Sequence, residues 1–208
     1  MISRSHLPAI LALAALVWSV LLILNGQSIS PELLRPFSTV LGVVGLAALA
    51  FGRWVWRWKV LHPWFVATPD LQGTWRGELV SDWKREDGST LPPIEVYFVI
   101  RQTFSTISMR LITRESTSVL LSGNISKEKD GVDTVMGVYL NTPDLLRREA
   151  SPIHHGGVIL QVVGSPPTAL QGQYWTDRRT RGELRLTARS PQLFHSFNQA
   201  SAGTYSQD

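Results

Sequence analysis

Cysteine is absent from this chain of 208 residues. A chain without cysteine has no disulfide framework, no thiolate metal ligand, no thiol nucleophile and no lipid-modified cysteine. The sequence also lacks a phosphate-binding loop and a Gly-x-Ser-x-Gly nucleophile motif. The neighbouring His154 and His155 would point to opposite faces of a strand, so they do not form a metal site together. We therefore expect a protein that is not an enzyme, with no catalytic residue, metal or cofactor.

Basic residues exceed acidic residues by 20 to 16, which gives a formal net charge of +4. The excess lies in the first 60 residues, and the rest of the chain carries equal numbers of both signs. A charge excess confined to one end favours a role in membrane topology. It argues against binding to a DNA or RNA polymer, which needs a basic face on the folded domain.

Two apolar runs, Leu7 to Leu24 and Phe37 to Phe51, precede any other pattern. The first run has about the minimum length that crosses a hydrocarbon core of ~30 Å. We predict an N-terminal segment (1–60) with two transmembrane helices, about 7–24 and 37–56, joined by a turn at 25–36. A cleaved signal peptide is the alternative, but the run is longer than usual and no small-residue cleavage site follows it.

Basic residues around these runs suggest an orientation. They are denser after the second run, at 53–59, than in the connection, which has only Arg35. The positive-inside rule then places both termini and the remaining chain in the cytoplasm. Small residues recur along one face of the second run at Ser38, Gly42, Gly45 and Gly52. Such a face packs closely against another helix, either within the hairpin or between molecules.

From Leu71 onward the apolar pattern changes to a period of two, with turn residues at short intervals. This pattern predicts eight strands, at 71–82, 93–103, 105–113, 116–126, 133–141, 155–163, 168–176 and 180–188. Eight short strands with tight connections favour a compact, antiparallel up-and-down β-barrel (68–190), because closure removes exposed sheet edges. The polar segment after it, 191–208, is predicted to be a disordered tail.

Alternation predicts which side chains point into the barrel. The predicted inward residues are Ile107, Met109, Leu111, Val119, Leu121, Ile125, Leu170, Tyr174, Leu184 and Leu186. In an up-and-down barrel, the ends of odd strands and the starts of even strands share one rim. The inward stripes become polar as they approach that rim, with Thr113, Asn141, Thr176 and Thr180 at their ends. An apolar floor below a polar ring is how a pocket for a polar ligand is usually built.

Two other interpretations of the barrel stay open at this point. The Gly73-x-Trp75 motif is also similar to lipocalins, whose barrels carry apolar molecules. A membrane-anchored scaffold that binds only proteins would instead have a filled interior. Trp75 fits all three cases, because a large ring plugs the closed end of a barrel.

Several segments together resemble the two-transmembrane β-barrel effectors of bacterial CBASS antiphage systems, the Cap15 family. They are Gly73-Thr74-Trp75, residues 113–118, Tyr139 to Pro143, His154-His155-Gly156, and residues 171–182. The resemblance implies an inner-membrane protein whose cytosolic barrel senses a cyclic nucleotide, most simply a cyclic dinucleotide. It also implies a partner cGAS/DncV-like nucleotidyltransferase that makes the ligand. Self-association, disruption of the lipid bilayer and abortive infection would follow.

By motif match, the resemblance assigns ligand contact to Thr113, Thr117, Tyr139, Asn141, Tyr174, Thr176, Arg178 and Thr180. Arg178 has a rigid fork of donors that suits a phosphate, although a solvated turn residue is an equally good interpretation. Threonine and asparagine could bind base edges. Either tyrosine could stack on a base.

Overall fold

A computed structural model describes residues 7–24, 26, 31–62, 64–84 and 87–206. The chain divides into two compact units, Met1–Val66 with 103–105, and Ala67–Gln102 with 106–208. The first unit contains helices α1 (Leu7–Leu24) and α2 (Pro31–Arg53), followed by two short 3-10 turns. Trp56, in the first of these turns, is completely buried.

Helix α1 has the predicted bounds, and α2 begins six residues earlier than the predicted second span. Proline is well tolerated in the first turn of a helix, so Pro31 starts α2 without a lost hydrogen bond. The predicted turn at 25–36 is therefore too long, although Asn25 and residues 27–30 lie outside the described residues. Gly26 follows α1 in the left-handed region at φ 71°, as is common where a helix ends.

The structure does not describe every side chain of α1 and α2. Among the residues that it does describe, no helix is long and apolar enough to cross a membrane. The transmembrane hairpin stays a prediction.

The second unit is a closed antiparallel barrel in which every strand pairs with its sequence neighbours. Its strands are β1 (Gly73–Ser81), β2 (Ile94–Gln102), β3 (Ile107–Ile112), β4 (Ser116–Lys127), β5 (Asp133–Pro143), β6 (His154–Val163), β7 (Ala169–Thr176) and β8 (Arg181–Ser190). Pairing of Thr74 with Ser190 and of Trp75 with Arg189 closes β1 onto β8. The predicted eight-stranded up-and-down barrel is confirmed.

Most predicted inward residues lie in the barrel core, including Met109, Leu170 and Leu186. Strand β4 is the exception, because Val119 and Leu121 are 39% and 57% exposed. The register shifts between Leu120 and Ser122, so a bulge inserts one residue into the strand. A bulge reverses the alternation. Ser118 and Leu120 therefore face inward before it, and Ile125 packs on the core after it.

The segment after β8 is ordered over its described residues, so the prediction of a disordered tail is wrong for 191–206. It contains a short helix, α3 (Phe197–Ser201), whose Ala200 is completely buried. Apolar side chains of this segment cover Tyr97, Val99 and Ile112 on the outer face of β2 and β3. Burial of these groups outweighs the polar composition that suggested disorder.

Candidate functional site

One end of the barrel is packed solid and the other contains a cavity. Trp75 is completely buried at the packed end, where its Nε1 donates to the carbonyl of Leu71 at 3.0 Å. The cavity, of about 770 Å³, lies under the loops that follow β1, β3, β5 and β7. This volume is in the range typical of small-molecule sites, about 300–1,000 Å³.

The cavity has an apolar floor and a polar upper wall. The floor is formed by inward side chains of six strands: Leu79, Ile94, Phe98, Met109, Leu111, Leu120, Val158 and Leu184. Hydroxyl and amide groups form the upper wall: Ser81, Thr113, Ser116, Ser118, Asn141, Ser151, Thr176 and Thr180. This is the change from apolar to polar side chains that alternation predicted along each inward stripe.

Seven of the eight predicted ligand-contact residues line this cavity: Thr113, Tyr139, Asn141, Tyr174, Thr176, Arg178 and Thr180. Thr117 does not, because it pairs directly with Ile112, which belongs to the outer-face cluster. Its neighbours Ser116 and Ser118 line the cavity in its place. The structure therefore brings the predicted set together with a shift of one residue on β4.

Asn141 is held by a buried hydrogen bond. Ser118 donates from Oγ to Asn141 Oδ1 at 2.8 Å, across the β4–β5 pair. This bond uses the acceptor of the amide and leaves its two N–H donors for another group. A buried amide with a fixed orientation can therefore donate to a ligand oxygen or ring nitrogen.

Two tyrosine rings lie on glycines of the neighbouring strand. Tyr139 pairs with Gly156, and a Cβ added there would stand 2.3 Å from the tyrosine Cζ. Tyr174 pairs with Gly182 in the same way, with its Cε1 at 2.7 Å from such a Cβ. Each glycine lets a ring lie flat against the barrel wall, as aromatic side chains do beside strand glycines. The rings then border the cavity without filling it.

Both cavity tyrosines are neutral at pH 7, because their pKa values are raised above the ordinary value of about 10. Burial raises the pKa of Tyr139, and the neighbouring Tyr174 and Asp177 raise it further. Burial also raises the pKa of Tyr174, although a hydrogen bond with Ser81 acts against this. A neutral phenol can donate as well as accept and has an aromatic face for a base.

The rim loops are connected by side-chain hydrogen bonds. Thr176 and Thr180 join their hydroxyls at 2.7 Å across the β7–β8 turn, where Arg179 has a positive φ of 64°. Thr113 Oγ1 accepts from the backbone N–H of Ser116 at 2.9 Å and thereby closes the β3–β4 turn. These threonine hydroxyls hold the turns, so only their remaining capacity is available to a ligand.

Arginines that alternation did not identify stand at the mouth. Arg114 and Arg147 line the cavity with Arg178, and Glu95 and Glu115 are the acidic members of the lining. Arg147 pairs with Glu115 at 2.6 Å. Arg178 donates to the neutral Oγ of Ser151 at 2.8 Å, which bridges the β7–β8 turn to the β5–β6 loop. Its charge is therefore not neutralised by that partner.

Outside the cavity, Asp82 and Arg181 clamp the ends of β1 and β8. Asp82 accepts from the backbone N–H and from Nε of Arg181 at 2.9 and 3.0 Å. The backbone hydrogen bond is the main reason that the pKa of Asp82 is lowered. His154 lines the cavity, whereas His155 lies 3.7 Å from Asp177. Among the described residues, no three His, Asp or Glu side chains form a metal-binding group.

Comparison with known proteins identifies this barrel. Residues 66–188 match the family model described as Cap15, cyclic dinucleotide receptor domain. The chain belongs to the Cap15 family. A relative from Staphylococcus schleiferi, CD-NTase-associated protein 15, is 30% identical over 138 residues, which cover 66% of this chain and 70% of the relative. The resemblance to Cap15 proteins seen in the sequence motifs is thus confirmed. The matched Cap15 domain contains all eight predicted contact residues.

Proposed function

We propose that this protein is a CBASS effector whose barrel binds a cyclic dinucleotide in the rim cavity. The observation that carries the proposal is the cavity of about 770 Å³ inside a domain that matches the family's receptor domain. The name of the staphylococcal relative supports a functional link to a cGAS/DncV-like nucleotidyltransferase that makes the ligand. In this proposal, the protein acts as a receptor and not as an enzyme.

The lining suits such a ligand. A cyclic dinucleotide has two flat bases and two negatively charged phosphates. Tyr139 and Tyr174 offer faces for base stacking, which contributes about 1–3 kcal/mol per base in nucleic-acid complexes. Asn141, held by Ser118, offers two donors to a base or sugar oxygen. Arg178 donates to the neutral hydroxyl of Ser151, so its positive charge is suited to a phosphate.

The two alternatives agree less well with this cavity. A lipocalin-like carrier of an apolar molecule would need an apolar mouth, but serines, threonines and arginines surround this one. A scaffold that binds only proteins predicts a filled interior, and the upper half of the barrel is open. Polar groups at the mouth would lose their water without hydrogen bonds if a fatty acid bound there.

A direct binding measurement tests the receptor proposal. The full-length protein in detergent micelles would be titrated by calorimetry with a panel of cyclic dinucleotides, the matching linear dinucleotides and a fatty acid. We expect saturable binding of one cyclic dinucleotide and weaker binding by Asn141→Ala and Tyr174→Ala, both folded by circular dichroism. A fatty-acid signal with none from the cyclic dinucleotides would establish the carrier instead.

We further propose that α1 and α2 anchor the protein in the bacterial inner membrane, with the barrel and both termini cytoplasmic. Ligand binding would promote self-association of these helices, disruption of the bilayer and abortive infection. The apolar runs and the arrangement of basic residues support the anchor. Gly42, Gly45 and Gly52 have no described atom within 4 Å of an added Cβ, which leaves space for a second helix. The ligand must bind the associated state more tightly than the monomer, or it shifts nothing.

Because the chain has no cysteine, single introduced cysteines report topology cleanly. We expect Ser28→Cys to react with a membrane-impermeant maleimide in intact spheroplasts, and Ser201→Cys to react only after lysis. Disruption of the bilayer would be tested with dye-filled liposomes that contain the protein. Adding the cyclic dinucleotide that the protein binds should release the dye, and Gly45→Leu tests whether close helix packing is needed for that release. Equal labelling of both cysteines in spheroplasts would refute the topology.

A further inference from the structure

The barrel wall has a part that lies outside the matched domain. The family match ends at residue 188, and the described chain continues to residue 206. We call residues 191–206 the C-terminal strap. Its side chains Leu193, Phe194, Phe197 and Tyr205 pack over Tyr97, Val99 and Ile112 on the outer face of β2 and β3. The strap therefore completes a second, external core.

The strap is fixed to the barrel at both ends. Near its start, Thr74 Oγ1 donates to the carbonyl of Gln192 at 2.7 Å and accepts from the N–H of Phe194 at 3.3 Å. Near its end, Ser206 and Arg189 exchange two backbone hydrogen bonds of 3.0 Å. Between them, Ser196 caps α3 by accepting from the N–H of Gln199. A segment held in this way can place a side chain accurately.

Phe197 connects the strap to the cavity. Its ring packs edge-to-face against the ring of Tyr97, with 5.4 Å between the two ring centres. Phe197 is also part of the cavity lining. The guanidinium of Arg114, in the β3–β4 turn, lies 5.3 Å from the centre of the same ring. Arg114 also lines the cavity. The strap thus supports an arginine at the mouth of the site.

The three cavity arginines differ in how their donors are used. Arg147 is paired with a carboxylate and Arg178 with a hydroxyl. Arg114 is held by its contact with an aromatic ring, and no ion pair is seen for it in the described part of the chain. Stacking occupies the face of a guanidinium and leaves the N–H groups at its edge free for a bidentate contact. Arg114 is consequently the cavity arginine best prepared for a phosphate.

We propose that the C-terminal strap is part of the ligand site: Arg114 binds a phosphate of the cyclic dinucleotide, and Phe197 is its positioning residue. This inference rests on the proposed receptor function, and it adds residues that the family match does not contain or that the motifs did not assign. It requires the full chain, because a barrel ended at residue 190 lacks Phe197.

The test uses calorimetry with the full-length protein in detergent micelles and the cyclic dinucleotide that the wild type binds. We expect Arg114→Ala to raise Kd by about tenfold or more, as for loss of charged hydrogen bonds. Phe197→Ala and Phe197→Leu should each raise Kd by about two- to fivefold, because the cation–π support is lost. Phe197→Leu keeps the apolar packing, so its effect does not depend on a loosened strap.

A double variant distinguishes positioning from direct contact. If Phe197 acts through Arg114, then Arg114→Ala/Phe197→Ala should bind no more weakly than Arg114→Ala alone. Phe194→Ala is the matched control, since Phe194 packs within the strap against Tyr205 and does not line the cavity. It should lower Tm and leave Kd within about twofold of the wild type.

Three results would overturn the inference: unchanged affinity in Arg114→Ala, wild-type affinity in Phe197→Leu, or a loss of affinity in Phe194→Ala as large as that in Phe197→Ala. These outcomes are separate from failure of the receptor proposal. If the wild type binds no cyclic dinucleotide in the panel, the proposed function and this inference both fail. If it binds one and the variants do not differ, this inference alone fails.

Discussion

The two ends of the barrel interior differ in what their side chains do. At the packed end, Trp75, Leu71 and Ile100 are completely buried and fill the space between the strands. At the open end, glycines, short hydroxyl side chains and flat tyrosine rings leave a cavity of about 770 Å³. The same eight strands thus combine a stabilising core with a candidate site, and we expect that each can be changed without the other.

The largest effect is expected at the packed end. Trp75→Ala removes a completely buried ring and leaves a void, which costs about 3–5 kcal/mol of the free energy of unfolding. Urea denaturation followed by circular dichroism measures this loss. Ligand affinity, compared under conditions where the variant is folded, should change little, since Trp75 is not part of the cavity lining. A large affinity change with little loss of stability would contradict the division between the two ends.

A methyl group at Gly156 should damage the open end. Its Cβ would overlap both the ring of Tyr139 and the backbone carbonyl of Trp175, so the ring must swing into the cavity or the strand must shift. We expect Gly156→Ala to cost about 1–3 kcal/mol in stability, as overpacking does. It should also weaken ligand binding, measured by calorimetry.

Gly172→Ala is the control for this substitution. The atoms nearest to its Cβ would belong to the backbone of Ile159 and Leu160, whereas the nearest atoms at Gly156 belong to the ring of Tyr139. It should therefore destabilise the barrel with a smaller effect on Kd. Equal losses of affinity in both variants would show that general strain, and not displacement of Tyr139, weakens binding.

Alkaline titration separates the inner tyrosines from the outer ones. All four tyrosines of the chain have a raised pKa, mainly through burial: Tyr139 and Tyr174 lie inside the barrel, Tyr97 lies under the strap, and Tyr205 belongs to the strap itself. The folded state holds these protons more tightly than the unfolded chain, whose tyrosine pKa is about 10. Ionisation of these groups therefore leaves the free energy of unfolding constant below about pH 10, and that free energy falls as the pH rises above this value.

The expected slope is about 1.4 kcal/mol per pH unit for each tyrosine that stays protonated while folded. Unfolding with urea at several pH values measures it, and the ultraviolet absorbance of tyrosinate reports ionisation. The double variant Tyr139→Phe/Tyr174→Phe should reduce the slope of the free energy of unfolding against pH. Tyr97→Phe/Tyr205→Phe should also reduce it, because burial raises the pKa of Tyr205 to about 12. Bound ligand should delay ionisation of the inner pair only.

The smallest effect compares two adjacent residues on opposite faces of β4. Ser118→Ala removes the donor to Asn141 Oδ1 and leaves a buried acceptor without its partner, which costs about 1 kcal/mol. It should also weaken ligand binding by releasing the amide of Asn141. Thr117→Ala, on the outer face, should leave the affinity unchanged. If Thr117→Ala weakened binding more than Ser118→Ala, Thr117 would be the ligand contact on β4, as predicted from the sequence.

Alternation was enough to predict the strands and most of the lining, because each strand has one apolar inward face. It failed on β4, where Leu120 and Leu121 are adjacent and apolar, so the pattern alone could not show which one the bulge inserts. Thr117 was assigned to the site by motif match, which carries no information on the face of the strand to which a side chain points. Arg114 and Arg147 lie in loops, where no period predicts direction, so they too were missed.

The strap was missed because its composition is polar and small. A signal for it was present in β2, where Val96, Tyr97, Phe98, Val99 and Ile100 are apolar on both faces. A barrel strand needs an apolar outer face only when something covers it. The run therefore predicts a covering segment, although it cannot say which part of the chain provides it.

Arg189 contacts both ends of the barrel unit. Its guanidinium donates to the carbonyl of Gln72 at 2.6 Å, just before the first strand, and its backbone pairs with Ser206 at the end of the strap. Arg189 thus bonds to the segment before β1 and to the end of the strap, so the two ends of the barrel unit lie close together. Modules with adjoining ends can be inserted into a surface loop of another protein without being stretched. We therefore expect that residues 68–206 can be inserted into a surface loop of another protein, as a reporter that converts ligand binding into a change in that protein.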